Sequence, residues 1–137
     1  MKYLLPVLLF CNNAFAEITA ITGRVYDGDT FAAEIILDGA KVRANIRFIN
    51  IDAPELKGEC EEETIWAYRA KDRLAELIPA GSIVRLENLK DDKYPGRVNA
   101  NVILPGGRDA GDVLVSEGLA VYYGGGKRIN WCNETKE

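Results

Sequence analysis

The chain has 137 residues, 17 basic and 21 acidic, with a net charge of −4, a length that suits one domain around one core. It contains no histidine. That excludes Ser-His and Cys-His hydrolases, His-ligated zinc enzymes and nucleases that use a histidine base or nucleophile. Any acid–base chemistry must use carboxylates, lysine, tyrosine or water, and any metal must sit mainly on oxygen, which points to calcium or magnesium. The acidic balance also argues against a protein that coats nucleic acid by charge alone.

The amino-terminal segment, residues 1–16, has the layout of a secretory signal peptide: Lys2, an apolar run over residues 3–11, then Asn12-Asn13 and Ala14-Phe15-Ala16. The apolar run is far short of the ~20 residues that span a bilayer. The expectation is a cleaved signal, an exported domain over residues 17–137 (periplasmic or secreted), and no membrane association after cleavage. Cleavage removes Lys2, taking the charge to −5, and Cys11, leaving Cys60 and Cys132. Two cysteines in an exported chain predict one disulfide. Closing a loop of about 70 residues, it is worth roughly 4 kcal/mol in loop entropy.

Residues 18–26 read as a strand rich in Thr, Ile and Val, broken by the turn Asp27-Gly28-Asp29. A second strand covers 30–37, and Asp38-Gly39 is a strong hairpin signal. A third covers 42–51, with Arg43, Asn45 and Arg47 on one face. Residues 61–78 read as a helix, with Glu61, Glu62 and Glu63 in the first turn and Pro79 and Gly81 at its end. Strands over 82–89 and 97–104 flank a loop at 91–96, and a short helix covers 109–117. Trp131-Cys132 lies in an irregular tail beyond Gly124-Gly125-Gly126. The order fits an α+β, mainly β, fold: a five-stranded OB-fold barrel with flanking helices.

Three segments carry chemistry. Asp27-Gly28-Asp29-Thr30 puts two acids around a glycine at a strand break. Ile46 to Glu55 is an apolar strand holding Arg47 that ends in Asp52-Ala53-Pro54-Glu55, where Pro54 fixes the exit and lets both acids point into one pocket. Asp91-Asp92-Lys93-Tyr94-Pro95-Gly96-Arg97 is a turn that delivers an arginine to a strand. Each alone is compatible with an ordinary turn or strand end.

In combination and order, they resemble the staphylococcal-nuclease (thermonuclease) family. The resemblance runs from about Ile18 to Trp131 and includes Gly118-Leu119-Ala120 followed by tyrosines. It implies a nuclease that hydrolyses phosphodiester bonds of DNA and RNA with Ca2+ and leaves 3′-phosphate ends, expected to act as a monomer. By position, Asp29, Asp52 and the carbonyl of Ala53 resemble the metal ligands. Glu55 resembles the group that orients or deprotonates the attacking water, and Arg47 and Arg97 the guanidiniums on the scissile phosphate. Asp27 resembles an acid that holds a metal-bound water. Lys93, Tyr94 and one of Tyr122 or Tyr123 resemble substrate contacts. Pro95 departs from the pattern, in which tyrosine is followed directly by glycine.

Physical chemistry agrees with these roles. Phosphodiester hydrolysis gathers charge on non-bridging oxygens, which planar arginines grip with paired hydrogen bonds. A carboxylate base beside a metal needs no histidine. The alternative is a non-catalytic OB-fold module that binds nucleic acid or a partner. Retention of both acids, both arginines and the glutamate favours the enzyme. If the tail shapes the pocket, Tyr122, Tyr123, Lys127 or Arg128 is the means.

Overall fold

The computed structural model describes residues 17–134, with side chains through Cys132; the expected signal peptide lies outside them. The first three strands form a meander of β1 (Ile18–Asp27), β2 (Thr30–Leu37) and β3 (Ala40–Phe48). Asp38 and Gly39 turn the β2–β3 hairpin with φ of 49° and 81°, the left-handed pair that matches strand twist. Two-residue periodicity points Phe31, Ala33, Ile35, Ile46 and Phe48 inward, where Phe31 and Phe48 meet edge to face with centroids 5.9 Å apart.

The third strand is shorter than the expected 42–51. Asn50 takes a φ of 67°, which asparagine tolerates better than most residues. The chain then re-enters extended structure as a separate strand, β4 (Ile51–Asp52). Helix α1 (Glu61–Leu77) buries Ala67, Ala70 and Leu74 and packs on β1. Strand β5 (Ile83–Asp91) runs past the expected end at Leu89 through an irregularity between Glu87 and Lys90, where Asn88 has a φ of 57°. Strand β6 (Arg97–Ile103) and helix α2 (Ala110–Ser116) follow as expected.

The barrel closes in the order β1-β2-β3-β6-β5, with β5 returning to β1. All neighbours are antiparallel except β3 and β6, which run parallel with Arg47 opposite Asn99. Outside the barrel, β7 (Val121–Tyr122) pairs with β4, setting Val121 opposite Asp52. The tail is not irregular at Trp131: it forms a short helix, α3 (Trp131–Glu134), with Trp131 buried. Cys132 is joined to Cys60, the residue that caps α1. No helix among the described residues is long and apolar enough to cross a membrane.

Candidate active site

The site lies where the β1–β2 turn, the end of β3 and the strand β4 meet. Gly28 permits that meeting. A Cβ there would lie 2.7 Å from the Cβ of Ala70 and 2.9 Å from that of Ala53, so any side chain would push the turn off α1 and off β4. Asp27 shapes the turn by accepting from the amide of Asp29 at 3.0 Å, the hydrogen bond of an Asx turn.

Asp29 is buried and aimed at β4. Its Oδ2 accepts from the amide of Ala53 at 2.9 Å, and its Oδ1 from the hydroxyl of Thr30 at 3.1 Å. Asp52 is buried beside it. Arg47 lies between the two acids, with Nη1 3.3 Å from Asp29 Oδ2 and Nη2 3.6 Å from Asp52 Oδ1. It also donates to the carbonyls of Phe48 and Ile51, so the strand break at Asn50 helps fix its guanidinium. Burial pushes Asp29 up to about 6; Arg47 opposes the rise and Asp27 adds to it. Burial also raises Asp52, against Arg128. Two desolvated acids this close form a site that favours added positive charge.

Glu55 is exposed, at the mouth. Its loop is tied from behind by Glu63, whose buried carboxylate accepts from the amides of Glu55 and Glu59, each at 3.0 Å. The acidic first turn of α1 is therefore more than a dipole effect, because one of its three acids anchors the loop that carries Glu55.

Arg97 is tied to Asp92, with Nε 3.0 Å from Oδ2, and lies 4.7 Å over the ring of Tyr94. Lys93 approaches the same ring at 5.3 Å. Asp92 also accepts from the amide of Tyr94. Burial would raise Asp92, but the Tyr94 amide and Arg97 hold it below the usual carboxylate range. Arg97, Lys93 and Tyr94 thus form a second cluster, and Asp92 links it to the first. Asp92, Lys90, Asn99 and Tyr123 line with Arg47 a cleft of about 320 Å³.

The two tyrosines part company. Tyr123 faces this cleft, its amide donating to the carbonyl of Asn50 at 2.8 Å. Tyr122 turns away and donates its hydroxyl to Asp112 at 2.8 Å.

One residue outside the motifs enters the site. Arg128 places Nε 2.8 Å from Asp52 Oδ2, Nη2 3.2 Å from the carbonyl of Ala53 and Nη1 3.4 Å from Glu55 Oε1. Its position after a glycine run is the sole signal for it in the sequence. Among the described residues no three His, Cys, Asp or Glu side chains converge as a metal-binding group; the acids here number two, complemented by a carbonyl.

A barrel whose open end gathers paired acids and arginines is an architecture for handling phosphodiesters. The profile of the family described as staphylococcal nuclease homologue matches residues 45–136, a span that contains Arg47, Asp52, Glu55 and Arg97. An Escherichia coli protein described as an uncharacterized endonuclease is 32% identical over 126 residues, covering 90% of this chain and 74% of that protein. Endonuclease YhcR of Bacillus subtilis is 31% identical over 118 residues, covering 81% of this chain but 9% of that much longer protein. The chain belongs to the staphylococcal nuclease homologue family. It is a nuclease, a hydrolase whose substrate is nucleic acid.

Proposed function

We propose that the chain is an exported, calcium-dependent phosphodiesterase that cuts DNA and RNA as a monomer and leaves 3′-phosphate ends. The observation that carries this reading is the convergence of Asp29, Asp52 and the Ala53 carbonyl beside Arg47. The donor set fits a hard cation. It is all oxygen, two buried carboxylates and one carbonyl, a set that water would complete and that suits calcium better than zinc. The Cys60–Cys132 disulfide supports export to an oxidising compartment, periplasmic or extracellular.

A bound calcium ion would supply positive charge at the phosphate and help orient water. Asp29, Asp52 and the carbonyl of Ala53 would hold it, with Asp27 fixing an associated water. Glu55 takes a proton from the attacking water onto its carboxylate oxygen, and the water oxygen bonds to phosphorus. The bond from phosphorus to the 5′-oxygen breaks, and that oxygen takes a proton from solvent, leaving the phosphate on the 3′ side. Arg47 grips the non-bridging oxygens with two parallel N–H groups, and Arg97 joins it on release from Asp92. Tyr123 and the Lys93–Tyr94 pair contact neighbouring nucleotides.

The test is hydrolysis of denatured DNA by the purified exported domain in EDTA, followed by addition of calcium or magnesium. Calcium is expected to restore cleavage and magnesium to restore far less. Equal rates with both would remove the calcium selectivity, and full activity in EDTA would remove the metal from the mechanism. Binding without any release of product would establish a non-catalytic OB-fold module instead.

A further inference from the structure

The segment from Tyr123 to Cys132 is fastened at both ends. At one end β7 pairs with β4 and the amide of Tyr123 bonds to Asn50. At the other, the disulfide ties Cys132 to Cys60, at the head of α1. Between the fastenings the chain arches over the acids through Gly125 and Gly126, whose φ values of 102° and 83° few other residues would adopt. Arg128 descends from this arch onto Asp52, Ala53 and Glu55.

Two of its partners, the Asp52 carboxylate and the Ala53 carbonyl, belong to the oxygen set read above as the metal site. The third is the carboxylate read as the base. A guanidinium is a poor substitute for a spherical cation in coordination, but it supplies the same charge to the same oxygens. It also adds a second cation to the buried Asp52 carboxylate, whose other oxygen faces Arg47.

We propose that Arg128 is a tethered placeholder cation: it binds the metal's oxygens while the site is empty, keeps Glu55 engaged, and must be displaced when calcium enters. The inference rests on the calcium-dependent reading. Entry of the metal then does two things at once, building the charged site and freeing the Glu55 carboxylate. The cost of displacing Arg128 lowers the apparent metal affinity, since the site must leave one favourable state to reach the other.

The experiment is calcium titration by calorimetry of the exported domain and of Arg128→Ala, Arg128→Gln and Lys127→Ala. Both Arg128 variants are expected to bind calcium about tenfold more tightly, because a charge-assisted contact no longer competes. Lys127→Ala removes a positive charge from the same arch and is expected to leave the affinity unchanged. In parallel, the Arg128 Nε–H resonance of the wild-type protein should shift and lose exchange protection over the same calcium range. Unchanged or weaker binding in the Arg128 variants overturns the placeholder. So does an equal gain in Lys127→Ala, which would reduce the effect to net charge. An Nε–H signal indifferent to calcium overturns it even if one variant fails to fold. Absence of calcium binding to the wild-type protein overturns the metal reading itself, and the placeholder with it; calcium binding without the variant gains overturns the placeholder alone.

Discussion

The amide of Glu55 donates to Oε2 of Glu63 at 3.0 Å, so a carboxylate buried at the head of α1 sets the path of the loop that carries the proposed base. The same carboxylate holds Glu59. Gly58 is required between them, because a Cβ there would lie 2.7 Å from the Cβ of Glu63. Glu63→Ala would strand two amides and is expected to cost about 2–4 kcal/mol. Glu63→Gln keeps one acceptor and should cost less. Urea denaturation checks the order; equal stability of all three proteins would show that the loop does not depend on this anchor.

Arg47→Lys and Arg97→Lys are each expected to lower kcat by ~10²-fold, through loss of the paired grip on transition-state oxygens. Folding stability should fall modestly. Steady-state kinetics on a defined oligonucleotide decide the matter, and near-normal turnover in either variant would take that arginine out of the chemistry.

Gly28→Ala places a methyl group against Ala70 and Ala53 at once. Neither contact is the far end of a flexible chain, so the turn must draw away from α1 and from the residue that follows β4. The expected loss is about 1–3 kcal/mol, as for other overpacked sites. Calcium affinity should weaken as well, because Ala53 supplies a proposed ligand. A variant with wild-type midpoint and affinity would show that the turn can yield without disturbing β4.

Reduction of Cys60–Cys132 releases a closure spanning 72 positions and is expected to cost roughly 4 kcal/mol by loop entropy. Activity in the cold should largely persist, since neither sulfur takes part in the proposed mechanism. Complete inactivity of a folded Cys60→Ala/Cys132→Ala protein would mean that the arch itself builds the catalytic pocket. A non-reduced peptide digest provides the companion check, with a bridge inside one chain as the expected product.

Arg73 reaches from α1 to α2 and grips Glu117 with Nε at 2.8 Å and Nη2 at 3.0 Å. This fork holds the Glu117 carboxyl below the usual range. A carboxyl lowered in the folded state contributes stability above its unfolded pKa, and loses it as pH falls through the folded value. Arg73→Ala should therefore lower the denaturation midpoint slightly at neutral pH and leave it unchanged near about pH 3, where glutamates are protonated. The same deficit at both pH values would assign Arg73 a packing role.

The strands were legible because alternation exposes them: Phe31, Ala33 and Ile35 follow a strict two-residue period. The acids of the candidate site were legible because Asp27-Gly28-Asp29 and Asp52-Ala53-Pro54-Glu55 are local patterns, which the fold joins through the Ala53 amide and Asp29. Cys60 and Cys132 are bridged, as expected of the two cysteines that lie beyond residues 1–16. What failed to show were relationships between distant segments. Nothing in the period of residues 42–51 announces that Asn50 turns left-handed and divides the strand, where its carbonyl accepts from the distant Tyr123 amide. The role of Glu63 was hidden among three adjacent acids, only one of which is drawn inward. Arg128 carries no motif and acquires its meaning from the arch that brings it to Asp52.

The parallel pairing of β3 with β6 brings Asn45 opposite Arg97, and that bears on the sequence of events in folding. The meander β1–β3 is local and can form early. Closure of the barrel must await a strand about fifty positions further along, and such non-local pairings form slowly. Asp52 waits longer still, for β7. A half-emerged chain can therefore hold Asp29 and Arg47 while lacking the strands that close the barrel and steady the second acid. The candidate active site is among the last parts of the molecule to mature.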